Sequence, residues 1–178
     1  MTLKSSSSLT TIGSTEYIDI AGYKNIPAKI DTGADSSSIW VSNIEMQSNG
    51  TLTFSFFDQT SPLYDGKKFK TSEYLARVVR SSNGERQIRY LVKLPITIKG
   101  QLFHANFSLA NRSRNNFPVL IGRNVLEGNF AVDVSVSAIQ RQKLPNNTRL
   151  NRELKKDPHL FHHKYIKQEL TTKGESWK

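Results

Sequence analysis

From Thr15 onward, apolar residues come in short runs, often at every second position, punctuated by Gly, Pro and Asn. Tyr17, Ile18 and Ile20 open one run, Gly22 permits a turn, and Ile26-Pro27-Ala28-Lys29-Ile30 forms the next. Thr51 to Phe57 alternates, with Leu52, Phe54 and Phe56 on one face, the period of a half-buried strand. Lys68–Arg80 and Glu85–Ile98 flank Asn83-Gly84. Asn-Gly between β-rich arms predicts a hairpin, because a type I′ turn needs positive φ at both central residues. Lys99-Gly100 predicts a second hairpin, joining Ile96–Ile98 to Leu102–Leu109. The polar loop Asn111–Asn116 precedes an apolar strand, Phe117–Ile121. Gly122–Glu127 fits one helical turn, and Phe130–Val136 returns to strand. No internal repeat is visible, and the pattern as a whole is all-β.

Both ends depart from this pattern. Met1–Ser14, with four consecutive serines and no apolar stretch, reads as a flexible lead-in. No signal-peptide h-region follows Lys4, leaving the cytoplasm as the default compartment. After Ala138 the chain turns polar and basic, and Pro145-Asn146-Asn147 marks a break in regular structure. Leu150–Lys156 and Leu160–Leu170 fit short helices separated by Asp157-Pro158, since Pro disfavours a helical residue before it. The expected organisation is a lead-in over 1–14, a β domain over 15–139 and a basic C-terminal extension over 140–178.

The 178 residues include nine Phe, six Tyr and two Trp, enough bulk for a core within one domain. No apolar run approaches the roughly 18 residues of a membrane span. The absence of Cys excludes disulfides, thiolate metal sites and cysteine nucleophiles together. Net charge is +10, and from Arg141 to Lys178 ten Lys/Arg stand against four Asp/Glu, so most of the excess lies in the extension. Such a balance favours acidic partners.

Candidate chemistry begins at the end of the second short strand, with Asp31-Thr32-Gly33-Ala34-Asp35-Ser36-Ser37-Ser38-Ile39. A carboxylate at a strand end, beside a hydroxyl and a Gly, can sit in a tight turn and accept backbone hydrogen bonds. Asp-Thr-Gly alone is a common turn sequence. Downstream, however, Val119-Leu120-Ile121-Gly122-Arg123-Asn124 ends an apolar strand in Gly. Arg123 there offers a planar donor fork suited to a carboxylate. Together IDTGADSSSI and PVLIGRNVL resemble the two halves of a retropepsin-type aspartic peptidase. With IPAKIDTGAD and GNFAVDVS, residues 15 to 136 look most like the bacterial retropepsin-like family often labelled ATP-dependent zinc proteases.

The resemblance implies a retropepsin-like closed barrel and a role for each matching residue. Asp31 would be the catalytic carboxylate, Thr32 would join the loops of two subunits through its hydroxyl, and Gly33 would let the backbone approach substrate. Ala34 and Asp35 would bind substrate, with Asp35 also pairing Arg123. Gly122, Arg123 and Asn124 would support the loop. Cleaving a peptide with activated water needs one carboxylate as base and another as acid. No second Asp-Ser/Thr-Gly occurs, since Asp58 precedes Gln59, Asp65 precedes Gly66 and Asp133 lies in a Val-rich strand. The second carboxylate is therefore expected from another copy of Asp31 in a homodimer.

The interval from Asp31 to Gly122 is 91 positions, longer than compact retropepsins need. The hairpin around Asn83-Gly84 is a candidate flap over the substrate and equally an ordinary core hairpin. No metal or other cofactor is expected. His-Glu-x-x-His is absent, and His159, His162 and His163 read as a solvated or partner-facing cluster. Gly-x-Ser-x-Gly, Gly-x-Gly-x-x-Gly and P-loop patterns are also missing, so neither a serine nucleophile nor ATP binding has sequence support. Phe161, Tyr165 and Trp177 in the basic tail could stack on bases. Without a recognisable nucleic-acid motif, a solvated, dimer-embracing or substrate-attracting extension is the preferred reading. The expected function is aspartic endopeptidase hydrolysis, on acidic peptides by charge complementarity. The alternative is a non-catalytic dimeric peptide-binding module on the same fold.

Overall fold

Alternating apolar runs and glycine-bearing turns make strands, and strands make almost all of the first part of the molecule. The computed structural model describes residues 9–80, 86–140 and 148–167. In chain order these form β1 (Thr10–Gly13), β2 (Thr15–Ile20), β3 (Tyr23–Ile30), β4 (Ser37–Met46), β5 (Leu52–Phe56) and β6 (Phe69–Thr71). They continue as β7 (Leu75–Arg80), β8 (Arg86–Ile98), β9 (Gln101–Ala110), β10 (Val119–Ile121), helix α1 (Arg123–Leu126) and β11 (Phe130–Asp133). Ala21 and Gly22 turn β2 into β3 with φ of 50° and 90°, and Lys99 and Gly100 turn β8 into β9 with φ of 49° and 77°. The second pair gives the tight hairpin expected there, with Ile98 opposite Gln101.

Closure depends on β10. It pairs in parallel with β3 and antiparallel with β4, so the order β10-β3-β2-β8-β9-β4 returns to its start. Among the described residues this is a six-strand closed barrel, the all-β, retropepsin-like architecture expected from the sequence. Closure removes unpaired edges. Ile18, Ile26, Ile39, Ile96, Phe107, Val119 and Ile121, all essentially inaccessible, are part of its core. Each such side chain contributes about 1.5–3 kcal/mol by leaving water. Beyond the barrel, β5 pairs with β4 and β6 with β5. Tyr23, Trp40, Phe54, Phe56, Phe57 and Phe69 form an aromatic cluster there, with ring centroids 4.5–6.4 Å apart.

Several elements differ from the sequence pattern. Thr10–Gly13, placed in the lead-in, forms β1 because β11 supplies a parallel partner some 120 positions away. Residues 37–46, assigned no strand, form the long strand β4. β5 is buried on both faces rather than one, Thr53 and Ser55 included. Within Lys68–Arg80, Phe69–Thr71 pairs with β5, and only Leu75–Arg80 pairs with β8. Asn83-Gly84 lies outside the described residues.

The chain divides at Gln140/Arg141 into two compact units. In the second, helix α2 (Thr148–Lys156) is followed by α3 (Pro158–Phe161) and a π-helical turn, His162–Lys167. Asp157 breaks the run and caps α3, its Oδ1 accepting the Leu160 amide at 2.9 Å. Glu153 accepts the Tyr165 hydroxyl at 2.8 Å and Arg149 Nε at 3.1 Å, tying α2 to the π-helical turn. Among the described residues, no helix is long and apolar enough to cross a membrane.

Candidate active site

β3 carries Asp31 to the point where its parallel partner β10 ends. The Asp31 amide donates to the Ile121 carbonyl at 2.9 Å, continuing the ladder by one bond, and the chain then turns, with Ala34 N–H donating to the Asp31 carbonyl at 3.2 Å. Within this turn Asp31 Oδ1 accepts the Gly33 amide at 3.1 Å. Oδ2 lies 3.8 Å from Lys29 Nζ, and the Asp31 side chain remains 30% exposed. This contact is solvent-screened and worth little to the fold. A Cβ on Gly33 would stand 3.4 Å from Asp31 Oδ1, so its absence keeps that face of the carboxylate open. Thr32 is exposed beside it.

The downstream motif is laced into this turn. Gly122 has an extended backbone, and its identity is set by space rather than φ. A Cβ there would meet the Ser36 carbonyl carbon at 2.7 Å and the Ala34 and Ser36 carbonyl oxygens at 2.8 Å. The Gly122 amide donates to Ser37 Oγ at 3.0 Å, and the Arg123 amide to the Ala34 carbonyl at 2.8 Å. Asn124 Oδ1 accepts both the amide and the hydroxyl of Ser37 at 2.8 Å, while its Nδ2 donates to the Asn106 carbonyl at 2.9 Å. Arg123 Nη2 ion-pairs with Asp35 Oδ1 across the same junction. Asp31 to Asp35 and Gly122 to Asn124, 91 positions apart at Asp31 and Gly122, thus become one constellation.

A cleft of about 1420 Å³ runs past it, lined among others by Asp31, Gly33, Ala34, Asp35, Arg123 and Asn124. The ribbon of β7 and β8 contributes Arg77, Val79 and Arg89 to the lining, and the loop after β9 contributes Arg112. Arg77 Nη1 donates to Ser36 Oγ at 2.9 Å, linking the ribbon to the Asp31 turn. Three features were not singled out from sequence: Ser37 as the hub of the junction, the Arg77/Arg89 pair and Arg112. The run of serines between the Asp31 turn and the apolar Ile39-Trp40-Val41 is the signal in sequence for the first. Only the strand register brings out the second, and only tertiary packing the third. Among the described residues, no three His, Asp or Glu side chains are grouped to hold a metal ion, so they do not fit the zinc in the family label.

A six-strand barrel with an Asp-Thr-Gly turn locked against a strand-Gly-Arg-Asn segment is the retropepsin-like acid-protease fold. The chain belongs to the RimB-like family of retropepsin-like aspartic endopeptidases, whose profile matches residues 11–143. It is similar to a Shewanella pealeana protein named "Probable alpha-L-glutamate ligase", 30% identical over 133 residues, covering 71% of this chain and 29% of that protein. A Desulfotalea psychrophila protein of the same name is 26% identical over 129 residues, covering 68% of this chain and 27% of its own. This chain therefore corresponds to less than a third of those relatives. A crystal structure of a Legionella pneumophila protein of unknown function is similar with a TM-score of 0.58 and 28% identity, covering 73% of this chain and 97% of that one.

Proposed function

We propose that the protein is a homodimeric aspartic endopeptidase in which water is activated between two copies of Asp31. The observation that carries this reading is the Asp31 carboxylate, anchored by the Gly33 amide and lining an open cleft. One chain supplies one such turn, so the partner carboxylate comes from a second copy. Thr32 supports the pairing: it is exposed, and among the described residues no hydrogen bond occupies its hydroxyl.

In the proposed mechanism one Asp31 is ionised and the other protonated, because neighbouring carboxylates share a proton. The carboxylate takes a proton from water as the oxygen attacks the peptide carbonyl carbon. The carboxylic acid gives its proton to the carbonyl oxygen, forming a gem-diol. The amide nitrogen then takes a proton from the newly protonated Asp31, the C–N bond breaks, and a gem-diol hydroxyl proton returns to the other carboxylate. No covalent enzyme intermediate forms.

Acidic peptides suit the cleft best. Lys29, Arg77, Arg89, Arg112 and Arg123 line it against Asp31, Asp35 and Glu127. The name of the longer relatives, a glutamate ligase, is in keeping with an acidic substrate for the domain they share. The test is cleavage of a glutamate-rich peptide by the wild type and by Asp31→Asn, with solution mass measured in parallel. Asp31→Asn should cost at least about a hundredfold in rate while mass stays dimeric. Unchanged cleavage by Asp31→Asn, or an active monomer, would overturn the reading. Arginine-dependent binding without turnover in the wild type would leave the non-catalytic peptide-binding module in its place.

A further inference from the structure

In the ribbon of β7 and β8, Arg77 and Arg89 are direct cross-strand partners, and both line the cleft. Like charges directly opposite in an antiparallel pair destabilise it. Their present neighbours are neutral. Arg77 Nη1 donates to Ser36 Oγ at 2.9 Å, and Arg89 Nε and Nη2 donate to Gln87 Oε1 at 3.3 and 2.9 Å. Among the described residues, no carboxylate ion-pairs with either side chain.

A third guanidinium, Arg112, reaches the same cleft from the loop after β9. It is half-buried, with Nε donating to the Phe117 carbonyl at 3.1 Å and Nη1 to Ser38 Oγ at 2.9 Å, again neutral acceptors. Burial first, and the charge of Arg89 second, press its pKa down, while Asp31 acts in the opposite sense. Arg112 and Arg89 therefore act on each other's charge, and Arg112 and Asp31 do likewise. Two strands and a loop bring three guanidiniums to one cleft, where Arg89 and Arg112 repel each other and, among the described residues, none of the three forms an ion pair with a carboxylate.

We propose that Arg77, Arg89 and Arg112 form a carboxylate-binding subsite, which takes the side chain of a glutamate or aspartate in a peptide lying over Asp31. The proposal rests on the peptide reading above and adds to it the residues that read the acid. A carboxylate accepts two parallel N–H bonds from a guanidinium fork. Placed between Arg77 and Arg89, it also supplies the counter-charge that the cross-strand pair lacks. Arg123 is excluded from this set because Asp35 already occupies it.

The test uses the full chain carrying Asp31→Asn, which blocks turnover, and two peptides of equal length, one with glutamates and one with glutamines. The glutamate peptide should bind about tenfold or more tightly. Arg77→Gln and Arg89→Gln should each remove most of that preference, weakening glutamate-peptide binding far more than glutamine-peptide binding. Arg89→Lys should restore only part, because an ammonium cannot make the paired contact. Arg77 is exposed and Arg89 half-buried on the ribbon, so neither change removes core packing.

A preference that survives in both glutamine variants overturns the proposal. So does equal displacement of the glutamate peptide by a short oligonucleotide of the same charge, which would mean general attraction of anions. The two readings fail separately. Acidic-peptide cleavage at wild-type rates in Arg77→Gln and Arg89→Gln sinks the subsite and keeps the peptidase. Arginine-dependent glutamate preference with no cleavage by the Asp31 protein keeps the subsite and sinks the peptidase.

Discussion

Gly122 lies so close to Ser36 that a Cβ on it would stand 2.7 Å from the Ser36 carbonyl carbon. Nothing soft can yield there, because the neighbours are the backbone of Ala34 and Ser36, just after Asp31. Gly122→Ala should therefore cost about 1–3 kcal/mol, as overpacking does, and should displace the turn and lose activity. Gly33→Ala is the contrasting change. Its Cβ would meet only Asp31 Oδ1, at 3.4 Å, an ordinary contact. Urea unfolding should show Gly33→Ala within about 1 kcal/mol of wild type, since no core packing or buried bond is lost, with its damage confined to turnover. Equal stability of the two variants would contradict the packing account.

Ser37 and Asn124 make the second lock. Ser37 is fully buried, and both its amide and its hydroxyl donate to one Asn124 oxygen at 2.8 Å. Asn124→Ala leaves these donors without their acceptor, at a cost of about 1–3 kcal/mol. Ser37→Ala removes the hydroxyl that also accepts from the Gly122 amide. Because the two side chains serve one junction, the losses should not add. A double-mutant cycle should give a coupling of at least about 0.5 kcal/mol. Strict additivity would show that the junction is not a unit.

Away from the site, Tyr23 donates its hydroxyl to Asp65 Oδ1 at 2.8 Å, holding residues 58–68 against the aromatic cluster. The Lys67 amide most of all holds the Asp65 carboxyl below its ordinary value of 3.8; burial opposes it, and the Tyr23 hydroxyl and Lys67 Nζ add to the lowering. A depressed carboxylate stabilises the fold above that value, and the contribution is lost as pH falls through the lower folded pKa. Burial first, then Asp65, raises the Tyr23 hydroxyl above its ordinary 10.0. Its contribution is complete below pH 10.0 and is lost as pH rises through the raised folded value. The stability difference between wild type and Tyr23→Phe should thus be flat from about pH 4 to 10 and shrink on both sides. Denaturant titrations across pH measure it, and a difference independent of pH would rule the linkage out.

The site's two motifs were legible because each packs unusual residues into a few positions: Asp31-Thr32-Gly33 at one strand end, Gly122-Arg123-Asn124 at another. Their meeting was implied by the family resemblance, through the expected Asp35–Arg123 pair, but not by the strand pattern, since it depends on β10 lying between β3 and β4. β4 escaped notice because it begins with Ser37 and Ser38, polar residues that become buried. Their hydroxyls are used by Gly122, Asn124 and Arg112, all distant in sequence. The arginine pair turned on register. A two-residue turn at Asn83-Gly84 would set Arg77 opposite Tyr90, whereas the ribbon sets it opposite Arg89. One residue of slip exchanges every cross-strand neighbour.

If the second carboxylate comes from another copy, the dependence of activity on Asp31 is quadratic in the number of intact chains. Mixing wild type with Asp31→Asn and allowing exchange distributes both chains over three dimers. Only the dimer with two Asp31 side chains has both a base and an acid for water. At equal amounts, random pairing leaves about one quarter of the sites intact, so activity per total protein should be about one quarter of the wild-type value. A chain that works alone would instead retain about one half, the plain dilution of active protein. The assay needs only a cleavable acidic peptide and an incubation long enough for subunits to exchange. Activity tracking the square of the wild-type fraction supports two copies of Asp31 acting on one water, and a linear dependence removes the dimeric site.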